Sequence, residues 1–477
     1  LHAVGRRRTL VVEGDRRAFE RFRQNASPDV FVEEEILFEK SVELPFDLLR
    51  AGPLDYARML REQPLDEAFA GGGRRLEISV FGRTRSLVPL PHAEVHVFLA
   101  SRGEVRHHLQ RRTDAEGRLT IEFAEFLQVL GLIAYPYSEY WPVVQRGDPG
   151  GRSLRVVCDR LPDKGPSDWW HDAVGSSAHA RVGAVAEGCR PVRVGVIDSG
   201  CGPHPALAHV VDKGAFINGV DSPDGRDSGS HGTHVCGIVG ARGGGNGLPF
   251  WGVAPGVELY SVRVFPPDRG ANQGDIADAI DALVDEAEVD LINMSLGSPQ
   301  PSAVLRDAIR AAERRGTVCI CAAGNSGGPI EYPAAFEECL AVAALGKLGE
   351  VEANALPALP TDAELFGATG YYAADFTCFG EDLALAAPGV GIVASVPARF
   401  GLDAPYAAMN GTSMAAPAAC AAVAALLAGN ADYASMAPGR ERSRFVKTLV
   451  AATARTASLP ASHEGRGIPQ IDPRRPA

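Results

Sequence analysis

From about Pro191 to Leu427 the chain alternates short, β-branched apolar runs with amphipathic helical stretches, and this alternation constrains its fold more than any other feature. VRVGVID, ELYSVRVF, VDLINMSLG and TVCICAAGN read as strands that are apolar throughout. Between them, DIADAIDALVDEA sets Ile276, Ile280, Leu283 and Ala287 on one helix face, and AVLRDAIRAAERRG predicts a second helix stopped by Gly316. Strands apolar on both faces need cover on both. The expectation is an α/β domain, residues 191–460, built on a mainly parallel sheet, with 461–477 as a C-terminal tail.

The first part of the chain differs in kind. The triple glycine Gly71 to Gly73 is its most obvious boundary. Before it, TLVVE, a helix-like stretch around Phe19 to Phe22 and VFVEEEILFEK predict a small β-α-β unit over 1–70. After it, RLEISVF, AEVHVFLA and RLTIEF, with turn signals from Asp114 to Gly117, predict a small β-sandwich over 74–160. Arg146 to Asp172 is rich in Pro, Gly and Asp and reads as the start of a connection, with 161–190 as linker.

Composition excludes several functions. At 477 residues with a net charge of -12 the chain can bury a large core, but it lacks the basic face of a phosphate-driven nucleic-acid binder. No run approaches the roughly 20 apolar residues of a membrane span, and the Arg-rich start is not followed by an apolar signal core. The nine cysteines include no C-x-x-C pair. Cys236, Cys319, Cys321 and Cys420 sit in apolar runs as core thiols do, which reads as a reducing compartment without a disulfide framework. The expected location is therefore cytoplasmic, or secreted if a segment upstream of Leu1 is missing. Oligomeric state is not legible.

Three segments place reactive side chains where strands and helices end. Asp198 closes VGVIDSG, His231 opens HGTHVCGIVG, and Ser413 heads GTSMAAPAAC. A hydroxyl nucleophile needs a base to take its proton, and the base needs an acid to fix its tautomer and stabilise its cation. One of each is present. Pro417 would clash with the carbonyl four residues back unless it lay in the first helical turn, which sets Ser413 at the helix N-terminus, where backbone N–H groups and the dipole favour an anion. In AAGNSGG, Asn325 follows a strand and offers a carboxamide donor to an oxyanion. Taken singly, each has a plainer reading: Asp198 as a turn residue, GTSMAAP as a capped small-residue helix, His231 and His234 as an i, i+3 metal pair. The last lacks a third ligand, and His234 reads as a structural core histidine.

In the order Asp, His, Asn, Ser, these segments resemble the motifs of subtilisin-like serine proteases, as do the flanking words DSGCGPHP, WGVAPGVELYSVRV, NMSLG and AAPGVGIVAS. The resemblance runs from about Arg193 to Leu427. It implies a three-layer α/β fold and hydrolysis of protein or peptide substrates through an acyl-enzyme. It implies that Asp198 orients, His231 is base and then acid, Ser413 is nucleophile, and Asn325 with the Ser413 N–H forms the oxyanion hole. Ser295, Leu296 and Gly297 match the strand that pairs with substrate, and Ala322, Ala323 and Gly324 the facing wall.

By the same resemblance Glu331 lies near the floor of the pocket for the side chain before the scissile bond, where a carboxylate favours Lys or Arg; a solvated surface Glu is the alternative. The unit before Gly71 is either a propeptide or an accessory domain. Gly349 to Tyr372 is unusual beside the family pattern and is expected as a surface loop. No cofactor or metal is expected. A structural calcium ion near Gly243 to Gly247 lacks support, since Asn246 is the only side-chain oxygen there. A catalytically silent peptide-binding pseudo-protease and a serine esterase are the competing functions.

Overall fold

The structure, a computed structural model, describes residues 2–4, 9–11, 14–27, 30, 32–40, 73–101, 104–148, 150–161, 168–176, 190–243, 250–267, 269–351 and 358–471. Seven strands of the larger domain run side by side, each parallel to the next: Val211–Ile217, Glu258–Arg263, Arg193–Asp198, Leu291–Met294, Val318–Ala322, Leu340–Lys347 and Leu385–Pro388. Val220–Ser222 and Tyr371–Ala373 add antiparallel pairings. The unbroken apolar character of VRVGVID follows from its central place, with Val194, Val196 and Ile197 fully buried.

Helices complete the layers. Gln273–Asp285 begins where the Asn272 side chain accepts from the Asp275 N–H, and it buries the predicted face of Ile276, Ile280 and Leu283. Ala303–Arg315 packs beside it and stops at Gly316, whose φ of 96° suits glycine. His231–Gly240 and Thr412–Ala428 form the other pair. Every residue of Thr412–Ala428 is buried, which accounts for its alanines: a helix surrounded on all sides has no polar face, and small side chains let its neighbours close in.

The sandwich is present as two four-stranded sheets enclosing Leu76, Ile78, Val97, Leu132 and their neighbours. Its strands run from Arg74 to Asp159, within the expected 74–160, while the readings of the connection, the linker and the tail need correction. Ser153–Asp159, read as connection, is a strand paired in parallel with Arg74–Arg83. In the supposed linker, Trp169–Ala173 is a helix whose two tryptophans are buried in the α/β core. In the supposed tail, Ala461–Glu464 is a helix, and Glu464 accepts from the Ala457 N–H at 2.7 Å and the Thr456 hydroxyl at 2.6 Å. Within the inserted stretch Gly349 to Tyr372, Tyr371 and Tyr372 are buried in a strand against Leu340–Lys347, so its end belongs to the sheet.

The larger correction concerns the first unit. His2–Val4 pairs with Thr9–Val11 and Arg16–Asn25 is helical, but the third element, Leu37–Lys40, joins neither. It lies between Ala271–Asn272 and Leu296–Gly297 of the α/β domain, antiparallel to both. The residues from 41 to 72, including most of the triple glycine, fall outside the described ones. The sandwich docks elsewhere: the Glu139 N–H and the Tyr137 hydroxyl donate to the carbonyls of Tyr406 (3.0 Å) and Pro397 (2.6 Å), beside the hairpin that leads into Gly411.

Candidate active site

Asp198 and His231 form a buried, directly bonded pair. Asp198 ends the central strand and His231 begins a helix, so both stand at the carboxyl edge of the sheet. His231 Nδ1 donates to Asp198 Oδ1 at 2.7 Å, which leaves Nε2 as the proton acceptor of the neutral ring. The same Oδ1 accepts from the Ser199 N–H at 2.6 Å.

A second carboxylate braces this pair, one the sequence reading passed over. Asp227 is buried and accepts from Ser199 Oγ (2.9 Å), the Gly229 N–H (2.8 Å), the Thr233 N–H (2.9 Å) and Thr233 Oγ1 (2.5 Å). Ser199 Oγ in turn accepts from the Gly232 N–H at 3.0 Å. Burial pushes the Asp227 carboxyl up, and the hydrogen bonds from Thr233, Gly229 and Ser199 oppose that. The available signal was its place four residues before His231 on the same loop.

His234 lies one turn further into the helix. Its Nε2 donates to the carbonyls of Ile392 (3.0 Å) and Ala407 (3.1 Å), and burial lowers its pKa to about 3. It is a neutral core histidine that ties the helix of His231 to the hairpin preceding Ser413, as expected from the sequence.

Ser413 is the second residue of its helix, reached through Gly411 at a φ of 145°. The proline reading was too strict: Pro417 is the sixth residue, not in the first turn. Lacking an N–H, it leaves the Ser413 carbonyl without its helical donor, and Ser295 Oγ supplies one at 2.9 Å. Ser413 Oγ returns a bond to the Ser295 carbonyl at 3.0 Å. The proline thus couples the serine to the wall Ser295–Gly297. Among the described residues, Ser413 Oγ does not engage His231, whose Nε2 is buried and has no partner there.

Asn325 is aimed by Thr412. The carboxamide Oδ1 accepts from the Thr412 N–H at 2.9 Å and its hydroxyl at 2.8 Å. A main-chain N–H can only donate, so the oxygen is fixed there and Nδ2 is a buried donor without a partner among the described residues. The facing wall runs directly before it, with the Gly324 N–H bonded to Thr412 Oγ1 at 3.2 Å.

Glu331 stands against that wall. Its N–H donates to the Ala323 carbonyl at 2.9 Å, and a Cβ on Gly324 would come within 2.7 Å of its carboxyl carbon, so only glycine leaves it room. Burial raises the Glu331 pKa, partly offset by a hydrogen bond from Ser326. Cys236 and Cys420 are buried thiols with raised pKa values, Cys236 through a hydrogen bond with Cys201 and then burial, Cys420 through burial, which disfavours the reactive thiolate. All eight described cysteines are free.

The strand Leu37–Lys40 runs along the wall Leu296–Gly297, with Ala271–Asn272 on its other side. Lys40 lies opposite Leu296, Glu39 opposite Gly297 and Phe38 opposite Ala271. Phe38 is fully buried, and upstream Glu33 accepts from Ser302 Oγ (2.5 Å) and the Ala303 N–H (2.8 Å) at a helix N-terminus. The Gln273 side chain bonds the Ile36 N–H and the Glu34 carbonyl, both at 2.8 Å.

A profile of the subtilase family matches residues 190–467, more than half of the chain and all of this site. The chain belongs to the subtilase family. It is 32% identical to Subtilisin Savinase of Lederbergia lenta over 246 residues, 51% of this chain and 79% of that one. It is 32% identical to Subtilisin DY of Bacillus licheniformis, over 54% of this chain and 83% of that one. Minor extracellular protease Epr of Bacillus subtilis is 31% identical over 49% of this chain and 32% of its own length. This subtilase is a serine endopeptidase, and its substrates are proteins or peptides. The cytoplasmic expectation finds no support among these relatives, one of which is extracellular by name. Among the described residues no helix is long and apolar enough to cross a membrane, and no cluster of three His, Cys, Asp or Glu could hold a metal. The loop around Asn246 lies outside the described residues.

Proposed function

We propose that Ser413 is the nucleophile, His231 the base and then the acid, Asp198 its orienting partner, and Asn325 with the Ser413 N–H the oxyanion hole. The observation that carries this reading is a bonded Asp198–His231 pair together with two buried polar groups that have no partner among the described residues, His231 Nε2 and Asn325 Nδ2. Leaving such groups unmade costs about 1–3 kcal/mol each, a cost that persists where a substrate completes them. A rotation about the Ser413 side chain takes Oγ from the Ser295 carbonyl to His231 Nε2. As Oγ bonds the scissile carbonyl carbon its proton passes to Nε2, and the carbonyl oxygen takes the negative charge between Asn325 Nδ2 and the Ser413 N–H. Collapse expels the amine, which leaves with the proton from His231; water then repeats the sequence to free the acid.

Substrate is held as an added strand along Leu296–Gly297, facing Ala322–Gly324, with Glu331 favouring Lys or Arg before the scissile bond. Leu37–Lys40 is bound in that same place as an inhibitor supplied by the chain itself, which gives the first unit the role of a propeptide. Tethering makes its effective concentration high. A self-inhibited protease suits limited, selective cutting, inside the cell or out of it.

Incubating wild type and Ser413→Ala in parallel and reading intact masses tests the proposal. The wild type is expected to lose its N-terminal unit by a cut downstream of Lys40 while Ser413→Ala stays whole. Identical masses for the two contradict it.

A further inference from the structure

We infer that the cleft selects a lysine or arginine at the position Lys40 occupies, and that Phe265 is the residue that determines this preference. The inference rests on Leu37–Lys40 marking the substrate path, and it is independent of Glu331.

The Lys40 ammonium lies 5.1 Å from the centroid of the Phe265 ring. Phe265 itself is only 1% exposed, so its ring is fixed and presents one face to the cleft. A cation over the face of a fixed, desolvated ring is attracted by the ring quadrupole, and an uncharged side chain of the same length is not. Gly229 also lies beside the Lys40 ammonium. A Cβ on Gly229 would meet Lys40 Nζ at 3.7 Å and Asp227 Oδ1 at 3.8 Å, so glycine here leaves room for the ammonium on the side where the buried carboxylate lies.

Register says where this subsite falls in a substrate. Lys40 faces Leu296, and the next step along an antiparallel strand faces Ser295, whose carbonyl is bonded to Ser413 Oγ. The residue opposite Ser295 therefore carries the scissile carbonyl, and the Phe265 subsite takes the residue immediately before it. Two positions earlier the strand carries Phe38, opposite Ala271 and fully buried in the α/β core, so a large apolar side chain fits there. The preferred substrate reads large apolar, any residue, basic, then the residue at the cut.

The test is a competition between internally quenched peptides with Phe at the first of these positions and Lys, Arg, Met or Glu at the third, cut by the full chain in one tube. The ratio of kcat/KM between two substrates does not depend on how much enzyme is occupied by its own strand. Lys and Arg are expected to exceed Met by about five-fold or more, with Glu the poorest. Phe265→Leu should bring the Lys to Met ratio towards one, while Phe265→Tyr, which keeps the ring, should preserve it. Met equal to Lys in the wild type, or a ratio unmoved by Phe265→Leu, overturns the inference. If no peptide is cut although a fluorophosphonate labels Ser413, the reading of the cleft has failed and the inference with it.

Discussion

The two halves of the site are built to different standards of completion. The acid–base half is the more tightly held: Asp198, His231, Ser199, Asp227 and Thr233 are linked through bonds of 2.5 to 3.0 Å, and among the described residues only His231 Nε2 and Asp198 Oδ2 of this set are left without a partner. The half proposed to hold the nucleophile is open, since Ser413 Oγ rests on the Ser295 carbonyl and Asn325 Nδ2 has no partner among the described residues. A group needed in one state throughout the reaction can be locked by the fold. One that must change partners, or meet a charge that exists only in the transition state, has to be left open.

Substitutions can break that contrast. His231→Ala joins the fates of the two halves and is expected to lower kcat by about six orders of magnitude, as for a triad acting as a unit. Asp198→Asn should cost about 10⁴ in kcat through the wrong imidazole tautomer. Asn325→Ala, confined to the open half, should cost about 100- to 1000-fold in kcat with little change in KM. Equal losses in kcat for Asp198→Asn and Asn325→Ala would mean that the division is false.

Acidification sharpens it through His234, which ties the helix of His231 to the hairpin before Ser413. His234 has a pKa near 3 in the fold against 6.5 when free, so the unfolded chain binds the extra proton. Its contribution is present above pH 6.5 and is lost as pH falls towards 3, a few kcal/mol at most. Urea midpoints of Ser413→Ala measured from pH 7 to 4 should fall, and fall less in His234→Gln; parallel curves would contradict the assignment.

The smallest expected effect lies at the edge of the open half. Glu331→Gln should reduce a preference for Lys over Leu before the scissile bond by about ten-fold in kcat/KM, and in the wild type the preference should weaken on acidification, because the raised pKa of Glu331 lets it protonate early. A peptide library that returns the same preference for both chains would show Glu331 to be no part of the pocket.

The acid–base half was the more legible. Its members sit in two short words, VGVIDSG and HGTHVCGIVG, and strand and helix ends bring them together. Asp227 escaped because an aspartate in a Gly/Ser loop reads as a turn former, and only burial reveals its four donors. Pro417 was misplaced because its clash was weighed without its other consequence, a carbonyl free to accept from Ser295. The strand in VFVEEEILFEK was visible from its composition, but its partners lie more than 200 residues away, and nothing local records them. The tryptophans at 169 and 170 were lost in a linker by the Pro, Gly and Asp around them.

The central claim is that Ser413 becomes reactive through His231 in a cleft its own chain covers. Fluorophosphonate labelling, mapped by peptide mass, tests it most directly when run on the wild type, on Phe38→Asp, which removes the buried anchor of the covering strand, and on Phe38→Asp with His231→Ala. The account predicts one adduct, on Ser413, forming faster in Phe38→Asp than in the wild type and absent when His231 is lost. An adduct at another residue, or a Ser413 that labels equally in all three, would contradict it.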